Sequence, residues 1–572
     1  MVLRPLVSLT ASVAVLGSVL APVAPAWAQS TPSDLAEIGP SMDENSSYGE
    51  FLTGRRAMHT GMSAEAAERL AAAADRFPND RFLRERAFMA ALFTGNVTLA
   101  AKYAPPLNPE QPALESLGRL TRATEAFASG RADEATQLLS GEKILFPHAT
   151  AAHLLKPWAL AAAGRWDEAV ADPGDAPDRI AALFATVARA QILETRKRPD
   201  EAEALWRTLA EERAAGGMFV GMYGEFLERR GRRDEALALY QKGLEAQPDD
   251  LELQAAKARV ERRGKPPKLP NLTEGAGEAM GYAAAVMSAS RQPELALAYL
   301  RLALRINPNQ DTAWLVVGDI LSNGRAKATA RDAWAQVKPD SALYSEARAK
   351  IIYSLQEAGE KDAALAMAQE TLKQRPNDLR ARLTVADLLR AHGRDAEAVT
   401  VLDGLMREGV AGWRPYYLRA MAYDRLDRWP EAEADLLKAM ELAPDEPELL
   451  NYLGYAWIDR GQKVQEGMAL VERAVAARPQ SGAMQDSLAW AHFRLGDYPK
   501  AVELLERAVT LSPADPEVNN HLGDAYWMVG RKDEARFQWN RVLSLQPTEE
   551  VKAEVERKLK DGLSPPSRAA GS

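Results

Sequence analysis

DPEVNNHLGDAYWMVGRKDEARFQWNRVLSLQPT, residues 515–548, reads as two helices joined by a tight turn. Leu522, Gly523 and Tyr526 lie three or four apart and share one face of the first helix. Gly530 breaks that helix, Ala535, Trp539 and Val542 stripe the second, and Pro547 ends it. A hairpin this small cannot bury its apolar face alone and needs a neighbour of the same kind on each side.

The neighbours are visible as a period. Steps of 34 residues back from Gly523 reach Ala489, Gly454 (after one inserted residue), Ala420, Ala386, Ile352, Gly318 and Ala284. Twelve residues beyond each, with one shift for the insertion, stand Ala535, Ala501, Gly467, Ala432, Ala398, Ala364, Ala330 and Ala296. Small residues at both crossing points let two antiparallel helices close to backbone contact. With Trp314, Val317, Gly318 and Leu321, then Ala330 and Trp334, the pattern resembles the tetratricopeptide repeat. The resemblance implies an all-α fold, a right-handed superhelical α-solenoid of stacked helix-turn-helix units.

Composition agrees with a folded chain. Of 572 residues 47% are hydrophobic and 26% charged, with a net charge of −9, which argues against a nucleic-acid partner. Residues 1–28 have the form of an export signal. Arg4 precedes an apolar run from Leu6 to Leu20, Pro22 and Pro25 follow, and Ala26-Trp27-Ala28 supplies a small-x-small cleavage site. The run is shorter than the roughly 20 residues a spanning helix needs. Cleavage after Ala28 and a periplasmic location are expected. The chain has no cysteine, which excludes disulfides, thiol catalysis, thiolate metal sites and a direct lipid anchor on that residue.

In order, residues 29–46 read as a flexible arm and 47–250 as an amino-terminal segment of about six units. First-helix crossing points fall at Gly54, Phe88, Ala123, Pro157, Ala190 and Gly224. Phe88 and Pro157 are poor fits, and Pro173, Gly174 and Pro177 should abort the second helix of the fourth unit. Residues 251–276 hold an extra helix and a Pro-rich stretch, Gly264 to Pro270, which is expected to form a stiff or hinged joint. Eight units follow over 277–549, a capping helix striped by Val551, Val555 and Leu559 over 550–563, and a flexible tail over 564–572.

Catalytic signatures are missing from the sequence. The histidines are His59, His148, His153, His392, His492 and His521. The one close pair, His148 and His153, is five apart and splays on a helix, so no metal site or cofactor is expected. There is no Gly-rich phosphate loop, Gly-x-Ser-x-Gly elbow or His-Glu-x-x-His helix, and an enzyme is not expected. Charged runs such as Glu228-Arg229-Arg230 have the pattern of solvated helix faces.

What remains is a surface. In a stacked array the first helices line the inner wall, and side chains five, nine and twelve places into each unit face it. In the last four units the candidates are Tyr417, Met421 and Asp424; Asn451, Tyr455 and Ile458; Asp486, Trp490 and Phe493; and Asn520, Asp524 and Trp527. Aromatic anchors among amides and carboxylates suit a protein-binding wall. Packing of Trp490, Phe493 and Trp527 between repeats or under the cap is the alternative. In the amino-terminal segment the same places hold Phe51, Arg55 and Met58, then Glu85, Met89 and Leu92, a partly apolar second wall.

Residues 453–509, LGYAWIDRGQKVQEGMALVERAVAARPQSGAMQDSLAWAHFRLGDYPKAVELLERAV, are similar to a segment of large exported repeat proteins of Gram-negative bacteria. Some of these are adaptors that hold carboxyl-terminal-processing proteases and present cell-wall hydrolases to them. That resemblance implies a scaffold whose partners are proteins or peptides, an envelope protease among them. An assembly factor of a secretion or polysaccharide-export machine is the alternative. The lipid-bearing cysteine of those adaptors is absent here.

Overall fold

The computed structural model describes residues 64–105, 112–141, 144–172, 174, 176–212, 216–247, 250–324, 326–409 and 412–563. The export signal, the arm, Phe51, Gly54, Arg55, Met58 and the tail lie outside them. Among the described residues the regular structure is helical throughout, with 29 helices. None of them is long and apolar enough to cross a membrane. The helices fall into two compact units, residues 1–359 and 360–572.

The carboxyl-terminal unit is built as the period requires. Its hairpins include Leu379–Ala391 with Asp395–Arg407, Arg414–Arg425 with Trp429–Leu442, and Pro447–Asp459 with Val464–Ala477. Gly482–Leu495 with Tyr498–Leu511 and Pro516–Met528 with Lys532–Ser544 complete the series. The small crossing residues are sealed: Ala420, Ala432, Ala489, Ala501 and Ala535 have no exposed surface. Gly454 and Gly467 show why size matters. A Cβ on Gly454 would stand 2.6 Å from the Gly467 carbonyl oxygen, and one on Gly467 would stand 2.7 Å from that of Gly454. Two backbones in contact leave no room for a side chain.

In the amino-terminal unit the repeat is less regular. Phe88 is wholly buried in Arg81–Thr94, and Pro157 lies inside Ala149–Ala162, which continues past it. The following helix, Trp166–Val170, has only five residues. Leu251–Glu261 then precedes residues 264–270, which form no helix or strand.

The expected joint at 264–276 is not where the units divide. Asn271 caps the next helix, Leu272–Ala289, through a capping box with Glu274, and that helix with Pro293–Ile306 lies against helices of the amino-terminal unit. Gly275 admits the Trp158 ring, which a Cβ would overlap. Tyr282 stacks on Phe184 at 4.0 Å, Tyr299 Oη lies 2.7 Å from His148 Nδ1, and Arg305 Nε donates to Glu125 at 2.8 Å. The Pro-rich stretch therefore returns the chain to earlier helices, and the division comes some ninety residues later, at Gly359. Leu92, expected on a second contact wall, has no exposed surface, so that wall is covered at this point.

Candidate functional site

The first helices of the carboxyl-terminal unit are tied to one another by charge pairs one repeat apart. Asp424 accepts from Arg460, 36 residues on. Arg494 lies 3.9 Å from the Asp459 carboxylate and also donates to the Asp459 backbone carbonyl at 2.5 Å, a separation of 35. Asp486 lies 3.0 Å from His521 Nδ1, again 35 on, and Asp524 accepts from Lys558 Nζ at 2.7 Å, 34 on. A carboxylate on one helix meets a cation at nearly the same place on the next. Buried members such as Asp486, Asp524, His521 and Lys558 must be paired, since an isolated ion removed from water would be costly.

Burial divides ten of the twelve predicted wall residues into two sets; of the other two, Met421 is half-buried and Ile458, with no exposed surface, is core rather than wall. Toward the carboxyl end the predicted contact role does not fit the structure. Phe493, Asp486, Asn520 and Asp524 keep 3, 5, 5 and 3% of their surface. Asn520 Oδ1 accepts from Lys558 Nζ at 3.0 Å, and Asp524 also accepts from Trp539 Nε1 at 3.0 Å. Trp527 donates to the Leu563 carbonyl at 2.9 Å and lies 5.3 Å from Trp539. These groups are occupied by the last helix, Glu549–Asp561, and the residues just after it. Gly562, at φ 77°, lets that chain pass over the Trp527 ring, where a Cβ would overlap it. Trp490 lies between rings, stacked on Phe493 at 4.7 Å and on His521 at 4.1 Å. Phe493 and Trp527 are thus packing groups, and Trp490 is half covered.

The other set stays open. Tyr417, Asp424, Asn451 and Tyr455 are half-buried on Arg414–Arg425 and Pro447–Asp459. Tyr452, which the repeat register did not single out, joins them: its ring meets Tyr417 edge-on at 5.7 Å and its hydroxyl donates to Asp424 at 2.8 Å. Tyr455 donates to Glu517 at 2.9 Å, reaching two hairpins along. Burial pushes the Tyr417 phenol up to about 12. Burial raises Tyr452 and Tyr455 further, helped by Asp424 and Glu517 respectively, so all three are neutral donors near pH 7. Among them the Asn451 carboxamide oxygen is buried and accepts from no donor among the described residues. A row of neutral tyrosines among carboxylates and an amide can cover a partner's apolar side chains and fix its register.

No group of three or more His, Asp or Glu that could hold a metal occurs among the described residues.

A family model described as "Tetratricopeptide repeat" matches residues 350–409, 417–482 and 487–549, and a second of the same description matches 220–260. A curated relative, "TPR repeat-containing protein PA4667" of Pseudomonas aeruginosa, is 26% identical over 187 residues, 32% of each chain. The chain thus spans about a third of that relative's length. Among solved structures, the Cut9–Hcn1 hetero-tetramer of APC/C covers 91% of this chain and 99% of its own at 16% identity and TM-score 0.40. A tetratricopeptide repeat protein of Parabacteroides merdae covers 44% and 97% at 17% identity and TM-score 0.35.

Proposed function

Since the chain is a tetratricopeptide repeat protein, we propose that it is a non-enzymatic scaffold that binds another protein through the wall formed by Tyr417, Tyr452, Tyr455 and Asn451. The observation that carries this is the cluster of half-buried tyrosines on two successive first helices, with Tyr417 edge-on to Tyr452 at 5.7 Å and Tyr455 on the same helix as Tyr452. Half-buried aromatic rings give a partner apolar area to cover, and the polar groups between them fix its register. The scaffold is proposed to act in the periplasm, a reading supported by Arg4, the apolar run and Ala26-Trp27-Ala28. Its partner is proposed to be an envelope protease or cell-wall enzyme, supported by the similarity of residues 453–509 to exported adaptors.

The test replaces Asn451, and separately Phe537, with a photo-crosslinking residue in cells. Phe537 is an exposed ring on the second helix of the last hairpin and serves as the control. Adducts from position 451 alone, containing an exported protease or hydrolase by mass spectrometry, are expected. Equal adducts from both positions, or none from 451, overturn the assignment of the wall; adducts with outer-membrane secretion machinery keep the wall and replace the partner.

A further inference from the structure

Arg301 is a buried cation without a counterion among the described residues. Only 6% of its surface is exposed, and its Nε donates to the Phe93 carbonyl at 3.1 Å. Phe93 is in the last turn of Arg81–Thr94, so that carbonyl is at the negative end of a helix. The terminal amino groups find no acceptor among the described residues. Burial depresses the guanidinium to about 10, with no neighbouring carboxylate to offset it. The adjacent Arg305 differs, because its fork is occupied by Glu125 at 2.8 and 3.1 Å.

The guanidinium lines a pocket of about 290 Å³. Its other walls are Thr94, Gly95, Leu304, Arg305, Pro308 and Trp314. Gly95 closes the preceding helix at φ 94°, and its missing side chain makes the room: a Cβ would stand 3.1 Å from Arg301 Cδ. The Trp314 ring centre is 5.9 Å from the Arg301 guanidinium carbon, and its Nε1 is held by the Pro308 carbonyl at 2.9 Å. The indole is therefore fixed as an apolar wall, while the charge beside it is unspent. A guanidinium with free amino groups matches a carboxylate in a two-pronged hydrogen bond, which is strongest where water is scarce.

We infer that this pocket binds a carboxylate carried on a small apolar group, with the carboxylate on Arg301 and the apolar body against Trp314, Leu304 and Pro308. The site lies in the amino-terminal unit and does not rest on the tyrosine wall. Two sources present this chemistry, a free organic acid and the last residue of a peptide.

Calorimetric titration of the full chain with benzoate and N-acetyl-leucine, against benzamide and N-acetyl-leucinamide, tests it, because each amide keeps the shape and removes the charge. The acids are expected to bind at least about tenfold more tightly than their amides. Arg301→Gln is expected to abolish that preference. Should Arg301→Gln fail to fold, Trp314→Ala serves instead, and must weaken both acids about fivefold or more while the preference for acid over amide stays. Tighter binding of N-acetyl-leucine identifies a peptide terminus, and tighter binding of benzoate a free acid. Equal binding of acids and amides, no binding of either acid up to about 10 mM, or acids bound unchanged by folded Arg301→Gln or by Trp314→Ala would overturn the proposal.

Discussion

Lys558 Nζ lies 2.7 Å from an Asp524 oxygen, and the two residues are 34 apart, one repeat length. The last helix therefore contributes its cation where the first helix of a further repeat would. Both side chains are nearly sealed from solvent, at 7 and 5% exposure. Lys558→Met should strand a buried carboxylate and destabilise the last hairpin by about 3 kcal/mol. Adding Asp524→Asn should recover part of this loss, because the unpaired charge is gone. Hydrogen exchange over residues 516–561 measures both, and full additivity of the two changes would contradict the pairing.

Two buried histidines should give the two units opposite pH responses. His521 is raised from 6.5 to about 9: burial opposes its charge, but Asp486 at 3.0 Å outweighs it. Its folded value exceeds the unfolded one, so its contribution is full below about pH 6.5 and is lost as pH rises through about 9. His148 is lowered to about 3 by burial. It stays neutral when folded, so the amino-terminal unit should lose stability as pH falls from about 6.5 toward 3. Exchange protection followed separately in the two units from pH 4 to 10 checks both signs, and His521→Gln should flatten the alkaline arm.

Gly454→Ala should cost on the order of 1–3 kcal/mol, since the new methyl meets a carbonyl oxygen at 2.6 Å and neither backbone can withdraw. Coupling in a repeat array runs between neighbours. Protection should fall mainly in residues 414–511 and hold in the amino-terminal unit; a uniform loss would contradict local coupling.

Tyr417→Ala and Phe493→Ala should separate binding from packing. The half-buried Tyr417 should weaken the partner by about 2 kcal/mol while the unit stays folded. Phe493, at 3% exposure and 4.7 Å from Trp490, should instead cost roughly 3–5 kcal/mol of stability. Melting and affinity measured on the same two variants decide this. A Tyr417 variant with native affinity would move the contact surface elsewhere.

The repeat was legible because Gly454, Ala489, Gly523 and their partners twelve or thirteen residues on are constrained by backbone contact, which admits few residue types. Wall and core were harder to separate. Positions five, nine and twelve hold polar and aromatic residues in either case, and what distinguishes Asp524 from Asp424, each with a cation about one repeat on, is how far it is buried. The opposite charges at spacings of 34 to 36 were a usable signal, with Lys558 and Arg460 plain in the sequence. The return of helix Leu272–Ala289 to Trp158 and Phe184 left less trace. A strict period describes contacts between successive units and carries no term for units far apart in sequence; only Gly275, Gly277 and Gly281 on one helix hint that something large must approach.

That return also sets the order in which the chain can fold. His148 meets Tyr299 across 151 residues, and Glu125 meets Arg305 across 180. The earlier helices must hold their tyrosine-binding and tryptophan-bearing faces unmatched until a hairpin much later in the chain arrives. Length itself adds little, about 0.6 kcal/mol for each doubling of the loop. Within residues 360–572, the ladder pairs wait for only 34 to 36 further residues, so that unit can assemble one hairpin at a time as it is delivered.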